Sequence, residues 1–135
     1  MSAGLESLED CALTDMKEIM ERRKHKRFKA QEGVYVYLKD NYDKFGQLID
    51  ISTGGFAFLY FTNGEKINDR FNVDLFSRID VFMRNMPFKT ISDFSQDNEP
   101  PLNHVEIRRC GGQFDKLTQT QKIQLDYFIK SHTNK

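Results

Sequence analysis

The sequence contains no apolar run close to the roughly 20 residues that a membrane-spanning helix requires, so no membrane span is expected. Its N-terminus lacks the apolar stretch of a secretory signal, and the expected location is the cytoplasm. There are only two cysteines, Cys11 and Cys110, with no spacing pattern between them. Isolated cytosolic cysteines are usually small apolar fillers, and both are read as reduced and structural. The three histidines, His25, His104 and His132, are scattered, and no Cys or His lies at metal-ligand spacing, so no metal is expected. His25 is expected to face solvent. The chain also lacks a glycine-rich loop ending in Gly-Lys-Ser/Thr and has no serine elbow followed by a suitably placed histidine. Neither a catalytic residue nor a cofactor is indicated, and the chain is not expected to be an enzyme. Net charge is absent too, with 20 basic and 20 acidic residues. That balance argues against a general nucleic-acid binder, which is usually basic.

What is present is aromatic and strand-forming. Twelve Phe and five Tyr, with only three Pro, favour strands and exclude disorder over most of the chain. A length of 135 residues fits one domain with a real core. The charge is unevenly spread. Positions 22–29 read Arg-Arg-Lys-His-Lys-Arg-Phe-Lys, six basic residues in eight, and only this segment has the local field to attract an anion.

Leu5, Leu8, Ala12, Met16 and Ile19 are three or four apart, which predicts an amphipathic helix over 5–20. Its polar side carries Glu6, Glu9, Asp10, Asp15 and Glu18, so packing on protein is expected rather than on anionic lipid. Alternation predicts strands at 34–39, 45–51 and 56–61, the last apolar on both sides and therefore central. A fourth strand is expected at 71–75, a fifth at 88–94 starting beside Pro87, and a last at 105–110 that Gly111-Gly112 end or bulge. Residues 95–103 read as a polar loop. Thr118 to Gln121 fits a capping box, with Leu125, Phe128 and Ile129 on the apolar face of a C-terminal helix. Many short strands with one closing helix suggest a small antiparallel barrel, in which closure removes exposed edges.

Two short motifs carry the chemistry. Arg23-x-x-x-Arg27 alone reads as a solvated basic stretch. Asp50-x-Ser52-x-x-Gly55 alone reads as a turn between strands, in which Gly54 and Gly55 permit unusual backbone angles. If 34–39 and 45–51 form a hairpin, however, the start of one strand lies beside the end of the other. The basic segment then meets the Asp-Ser-Gly turn. Arginine offers a planar fork for phosphate oxygens or the O6/N7 edge of guanine. A carboxylate only accepts hydrogen bonds and suits the N1–H and N2–H edge of guanine.

Arg23 to Arg27, followed after a strand pair by Asp50-Ile51-Ser52-Thr53-Gly54-Gly55, resembles the paired signature of PilZ domains. Arg109-Cys110-Gly111-Gly112-Gln113-Phe114 is similar to the family's last strand. The resemblance covers residues 21–131 and leaves 1–20 as a helical extension. It implies a mainly β fold, a six-stranded antiparallel β-barrel with a C-terminal α-helix, here with an added N-terminal α-helix. It also implies a receptor for cyclic di-GMP. Arg23 and Arg27 would grip phosphates and guanine faces or edges, Asp50 and Ser52 would bind a guanine, and Gly55 would keep the turn open. Arg22, Lys24 and Gly54 would add contacts. Ligand binding is expected to order residues 21–30, shift the N-terminal helix and signal to a protein partner, with the chain a monomer or homodimer. The alternatives are a PilZ-like adaptor that acts by protein contacts without nucleotide, and a nucleic-acid binder using the basic run.

Overall fold

The computed structural model describes residues 25–42, 44–96 and 105–134. The expected helix at 5–20, Arg22, Arg23, Lys24, residues 97–103 of the expected polar loop and His104 lie outside the described residues.

The alternation at Tyr35–Leu38 and Lys44–Ile51 does form a hairpin, here β2 and β3, with Tyr35 opposite Gln47 and Leu38 opposite Lys44. Asp40 and Tyr42, both at positive φ, make the turn between them. Four further strands complete the barrel: β4 (Gly55–Thr62), β5 (Arg70–Phe76), β6 (Val81–Ser95) and β7 (Glu106–Phe114). Around the ring the order is β2, β5, β6, β7, β4, β3, all antiparallel, and the β2–β3 pairing closes it. The architecture is the expected six-stranded antiparallel barrel. Two short strands are added outside it. The first half of β3 pairs with β2, and its end pairs with β1 (Phe28–Ala30), Lys29 lying opposite Asp50. On its other side β1 pairs with β8 (Thr133–Asn134), which directly follows the helix α1 (Gln119–His132).

The inward period-two residues fill the barrel. Val36, Leu38, Phe56, Phe58, Val73, Leu75, Met83, Met86 and Phe88 are all buried. Phe88 is the hub of an aromatic group, its centroid 4.5 Å from Phe56, 5.4 Å from Phe71 and 6.0 Å from Phe58. Tilted rings at such spacing add to the burial of their area. Thr118 and Gln121 form the expected capping box, and Leu125, Phe128 and Ile129 join the core. Phe82 meets Phe128 at 5.3 Å and fixes α1 against β6.

Three sequence expectations need correction. The fifth strand does not begin at Pro87 but runs from Val81 to Ser95. It serves β5 with its first half and β7 with its second. The Pro87 carbonyl accepts from the Asp115 N–H, just beyond the last β6–β7 pair, so the missing proline N–H falls at the end of that ladder. Nor do Gly111 and Gly112 end β7. They lie inside it, and the irregularity sits opposite them, at Ile91 of β6. A Cβ on Gly112 would stand 2.2 Å from the Lys89 carbonyl oxygen and 2.4 Å from the Phe88 ring. The glycine is there for space. Finally, residues 28–30 of the expected mobile arm are hydrogen-bonded on both edges by protein strands.

Cys110, fully buried on β7, is the free thiol among the described residues. Burial, helped by the nearby Asp93 carboxylate, pushes its pKa up from 9.0 to about 12. Above the unfolded pKa the unfolded chain loses this proton while the folded one keeps it, so the thiol's contribution to stability is lost as pH rises from about 9 towards 12. Urea midpoints should be flat near pH 7–8 and then fall, with a limiting slope of about 1.4 kcal/mol per pH unit for this group. Cys110→Ala should flatten that part of the decline.

Candidate functional site

The end of β3, the turn and the start of β4 form one compact unit. The buried Ser52 hydroxyl accepts from the N–H groups of Gly54 at 3.1 Å and Gly55 at 3.2 Å. The Ser52 N–H donates to the Gly55 carbonyl at 2.8 Å. Ser52 thus builds the turn with the hydroxyl expected to contact a base. Neither Gly54 nor Gly55 has a positive φ, which corrects the expectation that they supply unusual backbone angles. Both are required by close approach. A Cβ on Gly55 would lie 2.0 Å from the Gly112 carbonyl oxygen, and one on Gly54 would lie 2.4 Å from the His25 ring. His25 does not stand free in solvent as expected. Its half-buried ring covers Gly54, and Nδ1 meets the Thr53 hydroxyl at 2.9 Å.

The basic segment and the turn meet as the hairpin argument requires. Arg27 Nη1 donates to Asp50 Oδ1 at 3.3 Å. From the other side, Arg109 Nη2 stands 3.7 Å from Asp50 Oδ2. The carboxylate is therefore held between two guanidinium groups, from β7 and from the segment before β1. Arg23, the second expected arginine, lies outside the described residues, as do Arg22 and Lys24.

Arg109 was not among the expected site residues, yet the ladder explains it. Directly opposed residues share a face, and Leu59 pairs with Arg109, Ala57 with Gly111 and Gly55 with Gln113. Arg109 thus follows the outer row of small residues. Its neighbour Arg108 points to the other side, donating to Asp93 at 2.9 Å and to Glu106 at 2.9 Å. Tyr60 donates to the same Asp93 at 2.8 Å, and burial raises the phenol well above its ordinary pKa. Alternation at 105–110 could have separated the two arginines; it could not say which face held the site.

In front of these residues lies an open groove of about 770 Å³, within the usual range for small-molecule sites. Gly55, Ala57 and Gly111 give it a floor without bulky side chains, and Ile91 and Leu117 contribute apolar edges. Arg27 lines it from the segment before β1, Arg109 from β7, Lys116 from the connection leading to α1 and Lys122 from α1 itself. The arrangement can seat a flat anionic molecule, with the Asp50 carboxylate held beside it by the lining arginines and Asp126 of α1 among the lining residues. Among the described residues no cluster of His, Cys, Asp and Glu could hold a metal ion, and no helix is long and apolar enough to cross a membrane.

Residues 21–131 match the PilZ domain family. The chain belongs to that family. Solved structures agree on the fold. The PilZ domain of YcgR from Escherichia coli, solved with c-di-GMP, is 21% identical with a TM-score of 0.63, the match covering 82% of this chain and 91% of that one. The MrkH–c-di-GMP complex of K. pneumonia is 14% identical with a TM-score of 0.59, over 81% of this chain and 51% of that one. The inhibitor of motility MotI/DgrA of Bacillus subtilis is 15% identical with a TM-score of 0.55, over 81% and 49%. This PilZ chain thus spans about half the length of MrkH and MotI. No curated protein matches the sequence.

Ser52→Ala tests the turn. It would leave the Gly54 and Gly55 N–H groups without their acceptor, at a cost of about 1–3 kcal/mol. The denaturant midpoint should fall accordingly, with the m-value unchanged.

Proposed function

We propose that this PilZ domain is a receptor for cyclic di-GMP that holds the dinucleotide without transforming it. The observation that carries the reading is Asp50, a partly exposed acceptor set between Arg27 and Arg109, the two arginines that line a groove with a shallow floor. A guanine presents N1–H and N2–H as paired donors, which a carboxylate accepts. Its flat ring fits against Gly55, Ala57 and Gly111, while arginine forks hold phosphate oxygens or the O6/N7 edge. Family membership supports the reading, as do the c-di-GMP complexes of YcgR and MrkH.

In this proposal Arg23 and Arg27 are the principal grips, with Arg22 and Lys24 adding charge. Asp50 receives a guanine edge. Ser52, Gly54 and Gly55 act by shaping the turn that presents it. Titration calorimetry with cyclic di-GMP should give tight binding to the wild type. Losing a charge-assisted contact costs about 1.5–3 kcal/mol, so Arg27→Ala and Asp50→Ala should each weaken affinity by about tenfold or more. Wild-type affinity in both variants would refute the site.

The signalling step is an ordering of the basic arm. Residues 28–30 are already held by β3 and β8, so the change is confined to 21–27, where ligand phosphates neutralise like charges. The energy comes from contacts made only in the bound form. The 5–20 segment then moves relative to the barrel and offers a surface to a protein partner. Hydrogen exchange should slow at 21–27 on adding cyclic di-GMP and stay unchanged at 28–30. Equal exchange at 21–27 with and without ligand would remove the switch.

A further inference from the structure

Two further cations that line the groove, Lys116 and Lys122, have no role in the family signature and none in the reading above. Lys116 and Lys122 both line the groove and both are exposed. Neither has an ion-pair partner among the described residues; three other lysines, Lys39, Lys44 and Lys130, are paired, and the other described lysines, away from this groove lining, are not. Lys116 sits at a positive φ of 60°, a conformation uncommon for a residue with a side chain, in the connection between β7 and α1. Lys122 lies one turn into α1, on the same side as the buried Leu125. The first turn of α1 contains no acidic residue to offset them. Asp126, the acid on this wall, is occupied by Lys130 at 3.0 Å.

Charge counting then becomes informative. On the barrel wall Arg27 and Arg109 both face Asp50, so two positive charges share one negative. Counting the described residues alone, that wall is left with a single net positive charge, to which Arg22, Arg23 and Lys24 add in the reading above. A cyclic dinucleotide carries two phosphodiester charges on opposite sides of its ring. If Asp50 takes a guanine edge, one phosphate meets the arginine wall and the other points away from it. Among the described residues the cations placed to receive it are Lys116 and Lys122.

We infer that Lys116 and Lys122 form a second phosphate-binding wall, so that a bis-phosphodiester ligand bridges the barrel and the entry to α1. The inference rests on the receptor reading and extends it to residues outside the two motifs. It gives the C-terminal helix a direct contact with ligand. A lysine ammonium acts as a point charge without a fixed hydrogen-bonding fork, so arginine should substitute for it at this wall.

The test is calorimetry with cyclic di-GMP on the full chain at low and high salt. The double variant Lys116→Gln with Lys122→Gln should bind at least tenfold more weakly than wild type at low salt. That gap should narrow at high salt, because exposed charges are screened. Lys116→Arg with Lys122→Arg should stay within about threefold of wild type. Both lysines are exposed and have no ion-pair partner among the described residues, and the thermal midpoints of both variants should match the wild type. Wild-type affinity in the glutamine variant would overturn the second wall and leave the receptor reading intact. Equal weakening in the glutamine and arginine variants, with lowered thermal midpoints, would also overturn it by pointing to a structural role. Absence of binding by the wild type would instead defeat the receptor reading, and the second wall with it.

Discussion

At Gly55 and Gly112 backbones come closer than any side chain allows. Gly55 touches the backbone of β7, and Gly112 touches the carbonyl of Lys89 on β6. Both sides of the sheet depend on this. Inside, the space left at Gly112 admits the Phe88 ring, around which Phe56, Phe58 and Phe71 gather. Outside, the same strands present Gly55, Ala57 and Gly111 as a shallow floor. A larger residue at Gly55 or Gly112 would push strands apart, and both the core and the groove would pay for it.

The electrostatics follow from the same strand order. Adjacent arginines on β7 point to opposite faces because side chains alternate along a strand. Arg108 is absorbed by Asp93 and Glu106, beside the Tyr60 hydroxyl. Arg109 is delivered to Asp50. One dipeptide thus supplies a structural ion pair and a groove cation. Asp50 is placed with similar economy, since the register that pairs Lys29 with Asp50 also brings Arg27 within reach.

Much of this could be read from the sequence. The β2–β3 hairpin followed from alternation at 34–39 and 45–51, and the meeting of Arg27 with Asp50 followed from the hairpin. The capping box at Thr118 was explicit in its residue types. What escaped were features set by neighbours distant in the chain. Residues 79–87 are weakly patterned because β6 serves two partners and is irregular at Asn85 and Ile91. β1 is only three residues long and exists because β3 extends past β2 and β8 returns alongside. The groove positions of Arg109, Lys116 and Lys122 depend on which face of β7 and which side of α1 meet the turn, and no local pattern encodes that.

The pairing of β1 with β8 gives the fold a closed circuit. Starting at Arg27, the path runs through β1, across hydrogen bonds to β8, back along α1 to Lys122, and over the groove to Arg27 again. The Gln31 N–H, donating to the His132 carbonyl, adds a further rivet. Fraying of the C-terminal turn of α1 would therefore free one edge of β1 and loosen the arm that carries Arg27. Thermodynamic linkage makes this reciprocal: whatever grips Arg27 tightens the far end of the helix, and whatever seizes the helix end tunes the grip. Thr133 and Asn134 are thus coupled, through β1, to a groove that neither of them lines.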